Sequence, residues 1–169
     1  RNGGLIEARF DTARSVVDMI YAGVFRRYQR FKIILAHGGG ALPTLAGHLM
    51  TSGSHPRNRT VNPNKITAAE MRDALARFYY DTGLAGTAHS LEPVLAVTTP
   101  DHVLYGTDFG AACTDTDILD LHREALLAYP RLSAEERQAF GTNALSLFPK
   151  FAARIGVAPK KAPISAAAE

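Results

Sequence analysis

Three apolar runs of this sequence each end in a side chain that can do chemistry. "KIILAH" ends in His37, "RFYYD" in Asp81 and "HVLYGTD" in Asp108. Imidazole exchanges protons near neutrality, and a carboxylate can accept a proton or bind a hard divalent cation. Alone, such a residue is an ordinary cap or turn residue. Repeated on three runs, it forms a pattern, because parallel α/β folds bind ligands beyond the carboxyl ends of their strands.

His37 is followed by Gly38, Gly39 and Gly40. This motif admits a phosphate cradle, an oxyanion hole, a metal-centred site or a plain tight turn. A dinucleotide fingerprint needs G-x-G-x-x-G, and Pro43 stands where its third glycine should be. There is no G-K-[ST] phosphate loop. An oxyanion hole of the esterase type needs a serine on a G-x-S-x-G elbow, which the sequence lacks. The metal-centred site and the turn remain.

The surrounding elements must bring these strand ends together. Val16, Val17, Ile20, Tyr21, Val24, Phe25 and Tyr28 repeat at helical spacing, so one helix is expected over 12–29, capped by Asp11 or Thr12. "KIILA" reads as a strand buried on both faces. A helix is expected at 42–50, and 51–65, "TSGSHPRNRTVNPNK", as a long loop. Thr67 with Glu70 and Ser133 with Glu136 have capping-box spacing. Strands are expected over 77–83 and 102–108, with helices near 88–98, 116–129 and 142–154. This alternation predicts an α/β fold with a parallel sheet. Three strands would make only part of a barrel.

Composition narrows the function classes. Of 169 residues 46% are hydrophobic and 21% charged, which suits a globular protein with a real core. The +3 net charge is scattered. Its densest group, Arg26, Arg27, Arg30 and Lys32, flanks a helix end without the aromatic interleaving of a nucleic-acid surface. No nucleic-acid or membrane partner is expected, and the basic surplus favours an anionic small substrate. Cys113 is the only cysteine, which excludes an intrachain disulfide or a zinc–thiolate cluster and fits a cytoplasmic location. It is read as a small packing residue. The tail "APKKAPISAAAE" is expected to be disordered, giving a domain over 1–155 and a tail over 156–169.

Together, "KIILAHGGGALPTLAGHL", "FYYDTG" and "VLYGTDFG" resemble the amidohydrolase-related metal-dependent decarboxylases. That group includes the aminocarboxymuconate-semialdehyde, γ-resorcylate and methylsalicylate enzymes. "LIEARFDTARSVVDMIYAGVFRRYQRF" and "TNALSLFP" extend the likeness over most of residues 5–150, with "FDTAR" and "YYDTGLAG" closest to the methylsalicylate type. The resemblance implies the C-terminal part of a metal-dependent (β/α)8 TIM barrel, about strands 6–8. It implies a divalent metal, Zn or Mn, and a small-molecule carboxylate substrate that is decarboxylated or, alternatively, hydrolysed. Carried over, His37 becomes the catalytic acid/base, Asp108 a catalytic residue and metal ligand, and Asp81 part of the substrate environment. Gly38 and Gly39 would let a substrate approach where a Cβ would intrude.

The family also carries H-x-H or E-x-H ligands on its first strand and a further ligand histidine in mid-barrel. None of the six histidines here, His37, His48, His55, His89, His102 and His122, has that spacing. The expectation is therefore a partial barrel that needs a missing N-terminal half, forms a homo-oligomer through its exposed surface, and binds metal poorly alone. Without that half, an assembly partner without catalysis is the second reading. His48, His89 and His102 are expected to be structural, and His55 and Arg57 to lie on the long loop.

Overall fold

The computed structural model describes residues 3–110 and 115–157. Cys113 and all but the first two residues of the expected tail lie outside them. A π-helical turn, Gly3–Glu7, leads into α1 (Ala8–Tyr21) and α2 (Val24–Arg27). Then come β1 (Ile34–Leu35), α3 (Leu42–His48), α4 (Ala68–Arg77), β2 (Tyr79–Asp81), α5 (Ala88–Val97) and β3 (Val103–Leu104). The described chain closes with α6 (Thr116–Leu127), α7 (Ala134–Asn143) and α8 (Pro149–Arg154).

The strands form one parallel sheet in the order β1-β2-β3, as the strand–helix alternation predicts. Ile34 lies opposite Tyr79, and Asp81 opposite Leu104. Leu35, Tyr80 and Val103 pack into the main apolar core with Val16, Ile20, Leu42, Met71, Leu75, Leu91 and Phe140. The Tyr80 hydroxyl is buried there and donates to the Leu75 carbonyl at 2.7 Å. Ile34, Tyr79, Asp81 and Leu104 take the opposite face by register. Ile34 is 41% exposed, so β1 is not buried on both faces as expected. Among the described residues it lies at the edge of the three-stranded sheet, beside β2.

Local corrections have local causes. The single helix expected over 12–29 is split where Gly23 takes φ 72°. It also starts earlier, because Thr12 bonds back to the Ala8 carbonyl and Asp11 pairs with Arg14, leaving neither as cap. The strands are shorter than the apolar runs, and Asp108 stands four residues past the end of β3. Both capping boxes form. The last helix starts only at Pro149, with α7 and a 3-10 turn filling the preceding residues. Gly156 and Val157 close α8, donating to the Ala153 and Ala152 carbonyls at 3.2 and 3.0 Å.

The 51–65 loop carries short helical turns of its own. It is anchored on the α1–α2 turn, where Asn64 donates to the Tyr21 carbonyl at 2.7 Å and Arg26 to the Asn64 carbonyl at 2.8 Å.

Candidate active site

The three chemically capable strand ends meet. His37 follows β1 by two residues in a 3-10 turn, His37–Gly39, and has φ 56°. Its backbone N–H donates to Asp81 Oδ1 at 2.8 Å, and Gly83 N–H donates to the same oxygen at 3.0 Å. The His37 ring is held separately, with Nδ1 2.8 Å from the Gly83 carbonyl. A carbonyl only accepts, so Nδ1 carries the proton and the neutral ring keeps a bare lone pair on Nε2.

That lone pair faces Asp108. Nε2 lies 4.0 Å from Asp108 Oδ2, with the two side chains 20% and 21% exposed. Asp108 Oδ2 is buried and has no hydrogen-bond partner among the described residues. A buried carboxylate oxygen without a donor, close to an imidazole nitrogen, calls for a positive charge beside it. The hard carboxylate oxygen suits a divalent cation such as Zn²⁺ or Mn²⁺, and the neighbouring imidazole nitrogen suits proton exchange. Two side chains are fewer than such an ion needs. Among the described residues no three His, Cys, Asp or Glu side chains come together as a metal site.

Backbone strain concentrates here. Four described non-glycine residues have positive φ, and three of them, His37, Leu84 and Asp108, lie just beyond β1, β2 and β3. Such conformations cost energy and persist where the surroundings enforce them. Gly106 and Gly83 keep the strand ends close. A Cβ on Gly106 would sit 3.3 Å from Asp81 Cβ, and one on Gly83 would sit 3.4 Å from Asp108 Cβ.

The structure assigns room beside the glycines to the chain's own atoms. Gly38 and Gly39 are buried. A Cβ on Gly38 would meet Val94 at 3.3 Å, one on Gly39 the Tyr80 ring at 2.9 Å, and one on Gly40 would collide with the Arg9 carbonyl. The triple glycine thus sets a left-handed turn against packed neighbours, where an added Cβ would meet the chain's own atoms. Asp81 likewise spends Oδ1 on two backbone donors.

Sequence reasoning missed Thr82 as a site element, although it sits in the quoted "DTG". It is 3% exposed, and its hydroxyl both donates to the Gly106 carbonyl and accepts the Gly106 N–H, each at 3.1 Å. His122 was also passed over. Its Nδ1 accepts the Gly86 N–H at 3.2 Å, and burial, then the charge of Arg9, pushes its pKa down. The other histidines are placed structurally: His48 ends α3, His89 opens α5, and His55 caps its own turn by accepting the Arg57 N–H. His102 stacks on Tyr79 just before β3, with ring centroids 4.7 Å apart.

Comparisons with known proteins bear on the family and the fold. The amidohydrolase family profile matches residues 9–150. A 6-methylsalicylic acid decarboxylase of Penicillium expansum is 31% identical over 140 residues, covering 83% of this chain and 41% of that protein. The crystal structure of Metarhizium anisopliae IDCase superposes with a TM-score of 0.64 at 28% identity, over 83% of this chain and 40% of its own. A dihydroxybenzoic acid decarboxylase from a Polaromonas species, with bound manganese and the inhibitor 2-nitroresorcinol, gives 0.66 at 22% identity over 83% and 40%. The chain therefore spans about two fifths of the length of these relatives, and its fold matches that part of the amidohydrolase TIM-barrel fold.

Proposed function

The chain belongs to the amidohydrolase family, and on that premise we propose that it supplies about strands 6–8 of a metal-dependent TIM-barrel decarboxylase acting on a small aromatic carboxylic acid. The observation that carries this reading is the pair His37 Nε2 and Asp108 Oδ2, 4.0 Å apart, with Oδ2 buried and unpartnered among the described residues. The methylsalicylic acid decarboxylase among its relatives supports the substrate class. The manganese named in the dihydroxybenzoic acid decarboxylase supports the metal class.

In this reading Asp108 is the chain's ligand to a Zn²⁺ or Mn²⁺ ion, and His37 faces the reacting carbon. Once bound, the ion supplies positive charge that orients the substrate carboxylate. The remaining ligands come from other strands of a complete barrel.

His37 does the proton chemistry. With Nδ1–H committed to the Gly83 carbonyl, Nε2 alone is free to gain or lose a proton. Protonated there, it delivers H⁺ to the ring carbon as the C–CO₂⁻ bond breaks and the bonding electrons return to the ring. CO₂ leaves, and the neutral ring regains its proton from water. The Gly83 carbonyl stabilises the imidazolium before transfer and fixes the ring plane. In a hydrolase of the same family, the same pair would activate water.

The test is CO₂ release from hydroxybenzoate-type acids by a complete barrel containing this chain, with metal content measured alongside. Asp108→Ala is expected to lose both metal and turnover. His37→Ala is expected to keep the metal and lose most turnover. Wild-type metal content in Asp108→Ala, or a wild-type rate in His37→Ala, would overturn the assignment of roles.

A further inference from the structure

We infer that Asp81 and Thr82, consecutive residues at the end of the central strand, are the positioning residues of the site. Asp81 fixes His37 on one neighbouring strand end, and Thr82 fixes the Gly106–Asp108 segment on the other. The inference takes His37 and Asp108 as the reacting pair from the reading above.

β2 lies between β1 and β3, so Asp81 at its end and Thr82 just past it can reach both neighbouring strand ends. Asp81 Oδ1 accepts the His37 and Gly83 N–H groups at 2.8 and 3.0 Å. Gly83 in turn offers its carbonyl to the His37 ring at 2.8 Å. One carboxylate oxygen thereby holds His37 at its backbone directly and at its ring through Gly83. It also stabilises the N–H geometry of a histidine kept at φ 56°. Thr82 works on the other side. Its N–H donates to the Leu104 carbonyl at 2.9 Å, and its hydroxyl bonds both backbone groups of Gly106 at 3.1 Å. Two residues later the chain reaches Asp108. Both clasps end on backbone groups, so their geometry depends on an accepting oxygen at residue 81 and a hydroxyl at residue 82.

That distinction makes the inference testable by conservative pairs. Asn at 81 can accept the same two N–H bonds without a charge, whereas Ala cannot. Ser at 82 keeps the hydroxyl, whereas Val has the shape of Thr without it. In the full chain, ¹⁵N-histidine NMR reads the His37 tautomer and amide hydrogen exchange reads Gly106. Asp81→Asn is expected to retain the Nδ1–H tautomer, and Asp81→Ala to give a mixture. Thr82→Val is expected to speed Gly106 exchange about ten-fold, the equilibrium worth of one net hydrogen bond, and Thr82→Ser to stay within about three-fold of wild type. An unchanged tautomer in Asp81→Ala, a mixture in Asp81→Asn, or unchanged exchange in Thr82→Val would overturn it. None of these readouts needs metal or turnover. An inactive wild-type barrel would therefore sink the decarboxylase reading and leave this one standing.

Discussion

Replacing Gly39 by alanine separates two explanations of the triple glycine. If the glycines make room for a substrate, Gly39→Ala should alter binding and leave stability alone. The structure says otherwise. Gly39 has φ 77°, and its new Cβ would lie 2.9 and 3.0 Å from two carbons of the Tyr80 ring. Tyr80 cannot yield easily, because it is fully buried and its hydroxyl is tied to the Leu75 carbonyl. A left-handed conformation costs an L-residue about 1–2 kcal/mol. Overpacking a well-filled core costs about 1–3 kcal/mol more. The stiffer unfolded chain returns about 0.4–1 kcal/mol. The net expectation is a loss of about 2–4 kcal/mol. Gly23→Ala is the control. Its φ is similar, 72°, but its Cβ would meet only Asn64 atoms at ordinary contact, 3.7–3.9 Å, so it should lose about 1 kcal/mol. Urea unfolding followed by circular dichroism measures both. A Gly39→Ala chain no less stable than Gly23→Ala would refute the packing argument.

Other expectations follow from groups outside the reacting pair. The Arg26 guanidinium bonded to Glu70 at 2.6 and 2.8 Å holds that carboxyl down at about 2, against an ordinary 4.5. A depressed carboxylate stabilises the fold above its unfolded pKa and loses that contribution as pH falls. Glu70→Gln should therefore cost up to about 1 kcal/mol at neutral pH, as exposed pairs do, with the deficit closing between pH 4.5 and about 2; a deficit that persists at the acid end would contradict the pairing. Burial and Arg9 push His122 below its usual 6.5. Its stabilising share is present above 6.5 and declines as pH falls below it, and a ring titration midpoint at or above 6.5 by NMR would contradict its placement. Tyr80→Phe removes the buried bond to the Leu75 carbonyl and should lower stability by about 1 kcal/mol in the same urea assay.

The sequence carried the order of elements because their signals are local. Thr67/Glu70 and Ser133/Glu136 satisfy helix N-termini within four residues, so spacing alone reveals them. Strand ends were legible for a related reason: an apolar run that stops at His37 or Asp81 marks where the backbone leaves the sheet. What the sequence could not show depends on atoms distant along the chain. Whether a Cβ fits at Gly39 is decided by Tyr80, and at Gly40 by Arg9. Thr82 looks like any strand-end threonine until Gly106 is placed beside it. Ile34 reads as buried because β-branched runs usually are, but in this chain it lies on the outer strand of three, beside β2. The break at Gly23 had a visible signal in the glycine itself, and the continuous apolar spacing around it outweighed that signal.

In the proposed site Asp108 Oδ2 binds one divalent cation, and His37 Nε2 faces the substrate that the cation orients. Anomalous diffraction at the manganese edge, from crystals of a complete barrel containing this chain grown with Mn²⁺, tests it most directly. The expected result is a single strong peak within ligand distance of Asp108 Oδ2, on the side that His37 Nε2 faces, lost in Asp108→Ala. A peak elsewhere, or one that survives removal of Asp108, would contradict it.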